Sequence, residues 1–311
     1  MKKFGASDQM IDRLTDGDAL AVIGELKQQA QRGDPSAANI LEYMAYSTCA
    51  FSGVNGEGSS SQAQQLPDAQ ALPLRDDEWI RAALREKNDY DKQMAAACQQ
   101  AMDKLEIEAW VTSSANQGNG ASLWLLSRYG SSRGSELQQQ KLMDAADAGY
   151  PEAQAFLAQG LMNGTAHLPA GLAADENAAN LLKVAADSLP YAESALAVCE
   201  FKGCPGIEAD MPSAVAHTRE AAQRGSFDAI IQIGPQLQPG LMDPNEVTAW
   251  NLAGAMLSQQ GCSYGGLTAQ WMTSATSALT SDGTSDKARA LAAQYWQNYG
   301  AQMMANIGCA H

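Results

Sequence analysis

Six cysteines, three histidines and 35 carboxylates are the side chains from which this 311-residue chain could build redox, metal or acid–base chemistry. Cys49, Cys98, Cys199, Cys204, Cys262 and Cys309 form an even set that suits oxidation. Pairing in chain order joins Cys49 to Cys98, Cys199 to Cys204 and Cys262 to Cys309, each bridge inside one region. The competing reading is that a thiol such as Cys98, which follows Ala95, Ala96 and Ala97, is only a small apolar residue packed in a helix. Oxidised thiols place the protein in the periplasm or outside the cell, with the export signal absent from the sequence. Zinc is disfavoured, because no histidine lies near Cys199 and Cys204 and a tetrahedral site would need further ligands from elsewhere.

The remaining chemistry is sparse. His167, His217 and His311 are not beside a nucleophile, nor spaced four apart on a helix as metal ligands would be. Gly53 to Gly58 contains three glycines but lacks the lysine and helix start that cradle a phosphate. The carboxylates offer many accidental pairs, and only geometry and tuned acidity make such a pair catalytic. The expectation is therefore no catalytic residue, no metal and no cofactor. With 35 acidic residues against 20 Lys plus Arg, the net charge of −15 repels phosphate backbones, so nucleic acid is not an expected partner. No run approaches the roughly 20 apolar residues that span a bilayer. The stretch after Met1, Lys2 and Lys3 turns polar by Ser7, too early for a signal-peptide core, and no transmembrane segment is expected.

What must position these residues is helix. Alanine-rich segments with apolar residues three and four apart fill most of the chain, and no stretch alternates apolar and polar β-branched residues. The segments repeat. An alanine, a large aliphatic four residues on and then a small residue recur as Ala153, Leu157, Ala158; as Ala192, Leu196, Ala197; and as Ala229, Ile233, Gly234. The alanine and the aliphatic share one helix face, where small side chains let two backbones approach closely. The connecting turns repeat too: Gly171 to Asp175 and Gly206 to Asp210 each offer a glycine followed by an aspartate placed to cap the next helix. That second helix carries Ala178, Ala179, Leu182, Ala185 and Ala186 in one copy, and Ala214, His217, Ala221 and Ala222 in the next. Gly33, Gly118, Gly149 and Gly225 follow alanine-bearing helix ends, where a left-handed residue is expected.

On these residues the unit resembles a Sel-one-like repeat, a relative of the tetratricopeptide helix pair. The match is best from Tyr191 to Gly234, carrying Gly206, Ile207, Asp210, Ala214, Ala221, Ala222 and Gly225 in register. The chain departs from the pattern where His217 replaces an aromatic residue, where Leu161 and Glu200 replace tyrosine, and where Ser188 replaces glycine. The expected fold is all-α, a right-handed α-solenoid of antiparallel helix pairs. Residues 1–52 read as an N-terminal helical repeat, 53–75 as a flexible loop, 76–236 as helical repeats that are clearest over 105–236, and 237–311 as a C-terminal helical cap with helices near 244–260, 267–279 and 285–307.

In helix-pair solenoids the first helix of each pair lines the inner curve. That places Glu42 and Tyr46, then Trp124, Arg128 and Tyr129, then Gln154 and Gln159, then Glu193 and Glu200, and finally Gln232 as partner-binding side chains; the alternative for each is a solvated face. Trp124 reads as a surface residue, whereas Trp110, Trp250 and Trp296 read as fillers between helices. The expected function is a non-enzymatic protein-binding scaffold of the bacterial cell envelope. The resemblance further implies secreted or periplasmic adaptors, including immunity proteins that neutralise a secreted toxin. Its other implication is a secreted repeat protein that binds or hydrolyses a cell-wall fragment or β-lactam, for which Glu193 and Glu200 would be the residues to test.

Overall fold

The computed structural model describes residues 1–51, 93–94, 96–130, 136–166, 173–226, 228–230, 241–259 and 286–307. The loop expected over 53–75, the Cys262–Cys309 pairing, Gln232 and the helix expected near 267–279 lie outside the described residues. Among the described residues the regular elements are helices, and one antiparallel bridge joins Cys204 to Ile207 within a turn. The chain divides into two compact units, Met1–Arg133 and Gly134–His311.

The first unit opens with a 3-10 turn at Lys2–Phe4 and continues through α1 (Asp8–Thr15), α2 (Ala19–Gln31), α3 (Pro35–Phe51), α4 (Lys104–Ala115) and α5 (Gly120–Tyr129). The second holds α6 (Glu136–Asp147), α7 (Pro151–Met162), α8 (Ala174–Ser188), α9 (Pro190–Lys202), α10 (Met211–Gln223), α11 (Pro244–Gln259) and α12 (Asp286–Ile307). In each unit contacts run between neighbours in sequence: α2 with α3, α3 with α4 and α4 with α5; then α6 with α7 and onward to α10, and α11 with α12. This nearest-neighbour stacking of helix pairs is the α-solenoid that the repeats predict.

Local chemistry explains where the helices begin and end. Gly33, Gly118, Gly149 and Gly225 all take positive φ, as their spacing predicts. Asp103, Asn119 and Asp210 cap α4, α5 and α10, each accepting from backbone N–H groups of the first turn. Asp175 does not cap. The helix it was expected to cap begins two residues earlier, at Ala174, so Asp175 and Glu176 sit in the first turn and meet the helix dipole as charges. Gly206 has a second reason to be glycine besides its φ of 75°: a Cβ there would run into the Asp175 carbonyl and stand 3.1 Å from the Ala179 methyl. The turn after α9 is thereby pressed against the start of α8.

The core is built largely of alanine. Ala153, Leu157 and Ala158 of α7 are buried, as are Ala192, Leu196 and Ala197 of α9. The partner helices contribute Ala178, Ala179, Leu182, Ala185 and Ala186 from α8, and Ala214, Ala221 and Ala222 from α10. At the end of the second unit, Trp250 of α11 and Met303 of α12 pack with Val215, Ala221 and Ala222 of α10, and Asn306 donates to the Arg224 carbonyl. Trp250 is a core residue, stacked on Tyr295 at 4.1 Å, while Trp110 and Trp296 are half-buried.

Two disulfides lie among the described residues, Cys49–Cys98 and Cys199–Cys204, with sequence separations of 49 and 5. Loop-closure entropy gives the first the larger effect on the unfolded chain, about 4 kcal/mol against about 2 kcal/mol. Replacing both members of each pair by serine should therefore lower the urea stability of the Cys49→Ser/Cys98→Ser protein more than that of the Cys199→Ser/Cys204→Ser protein; equal or reversed losses would contradict this.

Candidate binding surface

The side chains singled out in the first unit come from α3 and α5, and the structure brings them together. Tyr46 and Tyr129 stack, with ring centroids 5.0 Å apart and planes at 13°. The ammonium of Lys104, from the first turn of α4, stands 5.0 Å from the centroid of the Tyr46 ring, close enough for a cation–π attraction. One helical turn before Tyr46, Glu42 is 1% exposed, and its Oε1 has no hydrogen-bond partner among the described residues. Burial pushes its carboxyl up to about 7; Glu108 adds to the shift and Lys104 opposes it. The helices that carry this group are pinned by a buried polar network, in which Ser122 Oγ of α5 lies 2.8 Å from Asn39 Oδ1 of α3 and 2.9 Å from Ser114 Oγ of α4.

Trp124 is not a surface residue. Its indole is 9% exposed, and the guanidinium of Arg128, one turn on, lies over the ring at 5.5 Å. The reason is the length of the Trp side chain: from the first helix of a pair it reaches back into the packed layer, and only its flank meets the half-buried Arg128.

In the second unit the named residues are separate. Gln159 is exposed, and Gln154 is half-buried with its amide donating to the Ala146 carbonyl across the turn from α6 to α7. A solvated face is excluded for Glu193 and Glu200, which are both buried. Glu193 accepts from the Arg224 guanidinium at 2.6 Å, and the same guanidinium donates to the Ala186 and Asp187 carbonyls at 2.8 and 3.1 Å. One side chain thus ties the end of α8, the start of α9 and the residue after α10. Burial raises the Glu193 carboxyl to about 7 against the pull of Arg224. Glu200 Oε2 lies 2.7 Å from His217 Nδ1. These are two of the departures from the repeat pattern, and they answer each other: where aromatic residues are expected on facing helices, this chain places a carboxylate and an imidazole.

Lys104 and Glu108 were not found from sequence. They are four residues apart on α4, as Glu42 and Tyr46 are on α3, and that matched spacing on adjacent helices is the signal that would have found them. Among the described residues no three His, Cys, Asp or Glu side chains are grouped to hold a metal ion, and no helix is long and apolar enough to cross a membrane.

A buried carboxyl raised from 4.5 to about 7 stabilises the fold fully below about pH 4.5 and loses that contribution as pH rises through about 7. Glu42→Gln keeps the neutral shape at every pH. The variant and the parent should be equally stable at pH 4, and at pH 8 the variant should be more stable by on the order of 3 kcal/mol. A difference between their urea midpoints that does not change with pH would show that Glu42 is not held in its neutral form.

No family model matches this chain, and no curated protein matches it. Solved structures do. One is the crystal structure of a protective antigen present in uropathogenic Escherichia coli strains and displaying an SLR fold, 18% identical, with a TM-score of 0.51 over 97% of this chain and 62% of that one. Another is a Sel1 repeat protein from Oxalobacter formigenes, 19% identical, with a TM-score of 0.44 over 93% of this chain and 91% of that one. The chain spans about 62% of the length of the E. coli antigen it matches. The fold is that of the SLR helical repeats.

Proposed function

We propose that this chain is a non-enzymatic scaffold that holds another protein through the first helices of its repeats and works in the periplasm or outside the cell. The observation that carries the reading is the group on α3, α4 and α5: two stacked tyrosines, an exposed lysine on one ring and a buried carboxyl behind them. Tyrosine side chains held in a packed setting on rigid helices are the composition of binding hot spots. The helical-repeat fold supports it, because stacked pairs present extended surfaces suited to protein ligands. The disulfides support the compartment.

Hydrolysis of a cell-wall fragment or β-lactam is less well supported. Glu193 and Glu200, the carboxylates such chemistry would use, are engaged with Arg224 and His217 in contacts that bridge helices. The finer form of the scaffold reading is an immunity protein that blocks a secreted toxin in a stoichiometric complex.

The test is affinity capture from the extracytoplasmic fraction of the native host, with the full chain and with a Tyr46→Ala/Tyr129→Ala variant of unchanged circular dichroism. The native chain should retain one protein at fixed stoichiometry and the variant should lose most of it. Equal capture by both, or no protein retained by either, would refute the assignment of this surface.

A further inference from the structure

The group around Glu42 is incomplete in a specific way. Its Oε1 is buried without a donor among the described residues, although a carboxylate oxygen so placed ordinarily accepts a hydrogen bond. A cation is near. Lys104 acts on Glu42 electrostatically, yet its ammonium stands over the Tyr46 ring, and among the described residues no carboxylate lies within ion-pair distance of it. Acceptor and donor are thus present in one cluster and unjoined.

Resting on the scaffold reading above, we propose that Glu42, Tyr46 and Tyr129 form a recognition site for a lysine side chain of a basic protein partner, and that Lys104 holds the outer part of that site until the partner's ammonium displaces it.

Three features choose a cation over a neutral donor. The faces of aromatic rings attract positive charge, and here one ring already carries an ammonium at 5.0 Å. The carboxyl behind them would meet an incoming cation with a charge-assisted hydrogen bond, which is stronger than a neutral one. The whole chain, at −15, draws basic partners and repels acidic ones. Lys104 is exposed and sits at the end of a flexible stem in the first turn of α4, so it can leave without disturbing the helices. Tyr46 and Tyr129 are half-buried, and Glu42, one helical turn before Tyr46 on α3, is buried, so the stacked rings lie nearer the solvent than the carboxyl.

The experiment uses the full chain labelled with 3-fluorotyrosine, the Tyr46 and Tyr129 signals being assigned by Tyr→Phe variants. It is titrated with N-acetyl-lysine methylamide and, separately, with the uncharged norleucine analogue. The lysine compound should shift both signals saturably and the norleucine compound should not. Removing the placeholder with Lys104→Ala should tighten binding by about tenfold, and Glu42→Gln should weaken it by about tenfold, the worth of one charge-assisted contact. No saturable shift in either the parent or the Lys104→Ala protein would overturn the proposal. So would equal binding of the norleucine compound, or Glu42→Gln binding as tightly as the parent while its circular dichroism is unchanged. If the lysine compound fails while partner capture still depends on Tyr46 and Tyr129, the lysine site falls and the scaffold reading stands. If the compound binds as expected but no partner is captured, the scaffold reading falls instead.

Discussion

The distance between helix axes in this protein is set by alanine. Ala153, Ala158, Ala192 and Ala197 on the first helices and Ala178, Ala179, Ala185, Ala186, Ala214, Ala221 and Ala222 on the second ones are all buried, and Ala158, Ala179, Ala185, Ala186 and Ala192 pack in one cluster. Helix separation follows the size of the side chains at the contact, so a seam of methyl groups brings the backbones close. It also explains why glycine is required at position 206, where the turn after α9 is pressed on the carbonyl of Asp175 and leaves no room for a Cβ.

Such a seam has a thermodynamic consequence. Burying apolar surface yields about 0.8 kcal/mol for each methylene-sized group, so an alanine contributes much less than a leucine in its place. The structure adds fasteners where burial is thin. Arg224 joins three helices through Glu193 and two carbonyls, Arg219 grips Glu246 with two hydrogen bonds at 2.6 and 2.8 Å, and a disulfide closes the turn after α9. The first unit uses the Ser114–Ser122–Asn39 network and the Cys49–Cys98 bridge for the same purpose. These fasteners also fix the orientation of the helices, and that orientation lets Tyr46 of α3 meet Tyr129 of α5.

The helical class and the alternation of first and second helices were legible because both rest on short-range pattern. The recurrence of Ala153, Leu157 and Ala158 at Ala192, Leu196 and Ala197 names the buried face directly, and the glycines at helix ends follow from backbone sterics alone. The cap at Asp210 was legible, whereas Asp175 does not cap, because its helix begins two residues earlier relative to the repeat than its twin. Side-chain reach was harder. Trp124 was expected at the surface from its place on a first helix, but its size carries it inward. Glu193 and Glu200 stand at positions that face a partner helix, and the side chains that meet them, Arg224 and His217, lie 31 and 17 residues away in sequence. Lys104 and Glu108 belong to a second helix, whereas the inner curve of a helix-pair solenoid is lined by first helices.

The claim on which the whole account depends is that close backbone contact across the alanine seam holds the helices in place. Urea denaturation of Ala192→Leu tests it directly, with Ala216→Leu as the control at an exposed position on α10. The account predicts that the buried substitution destabilises the protein by about 1–3 kcal/mol through overpacking while the control changes it little. An Ala192→Leu protein as stable as the parent, or more stable, would show that the helices do not meet at that distance.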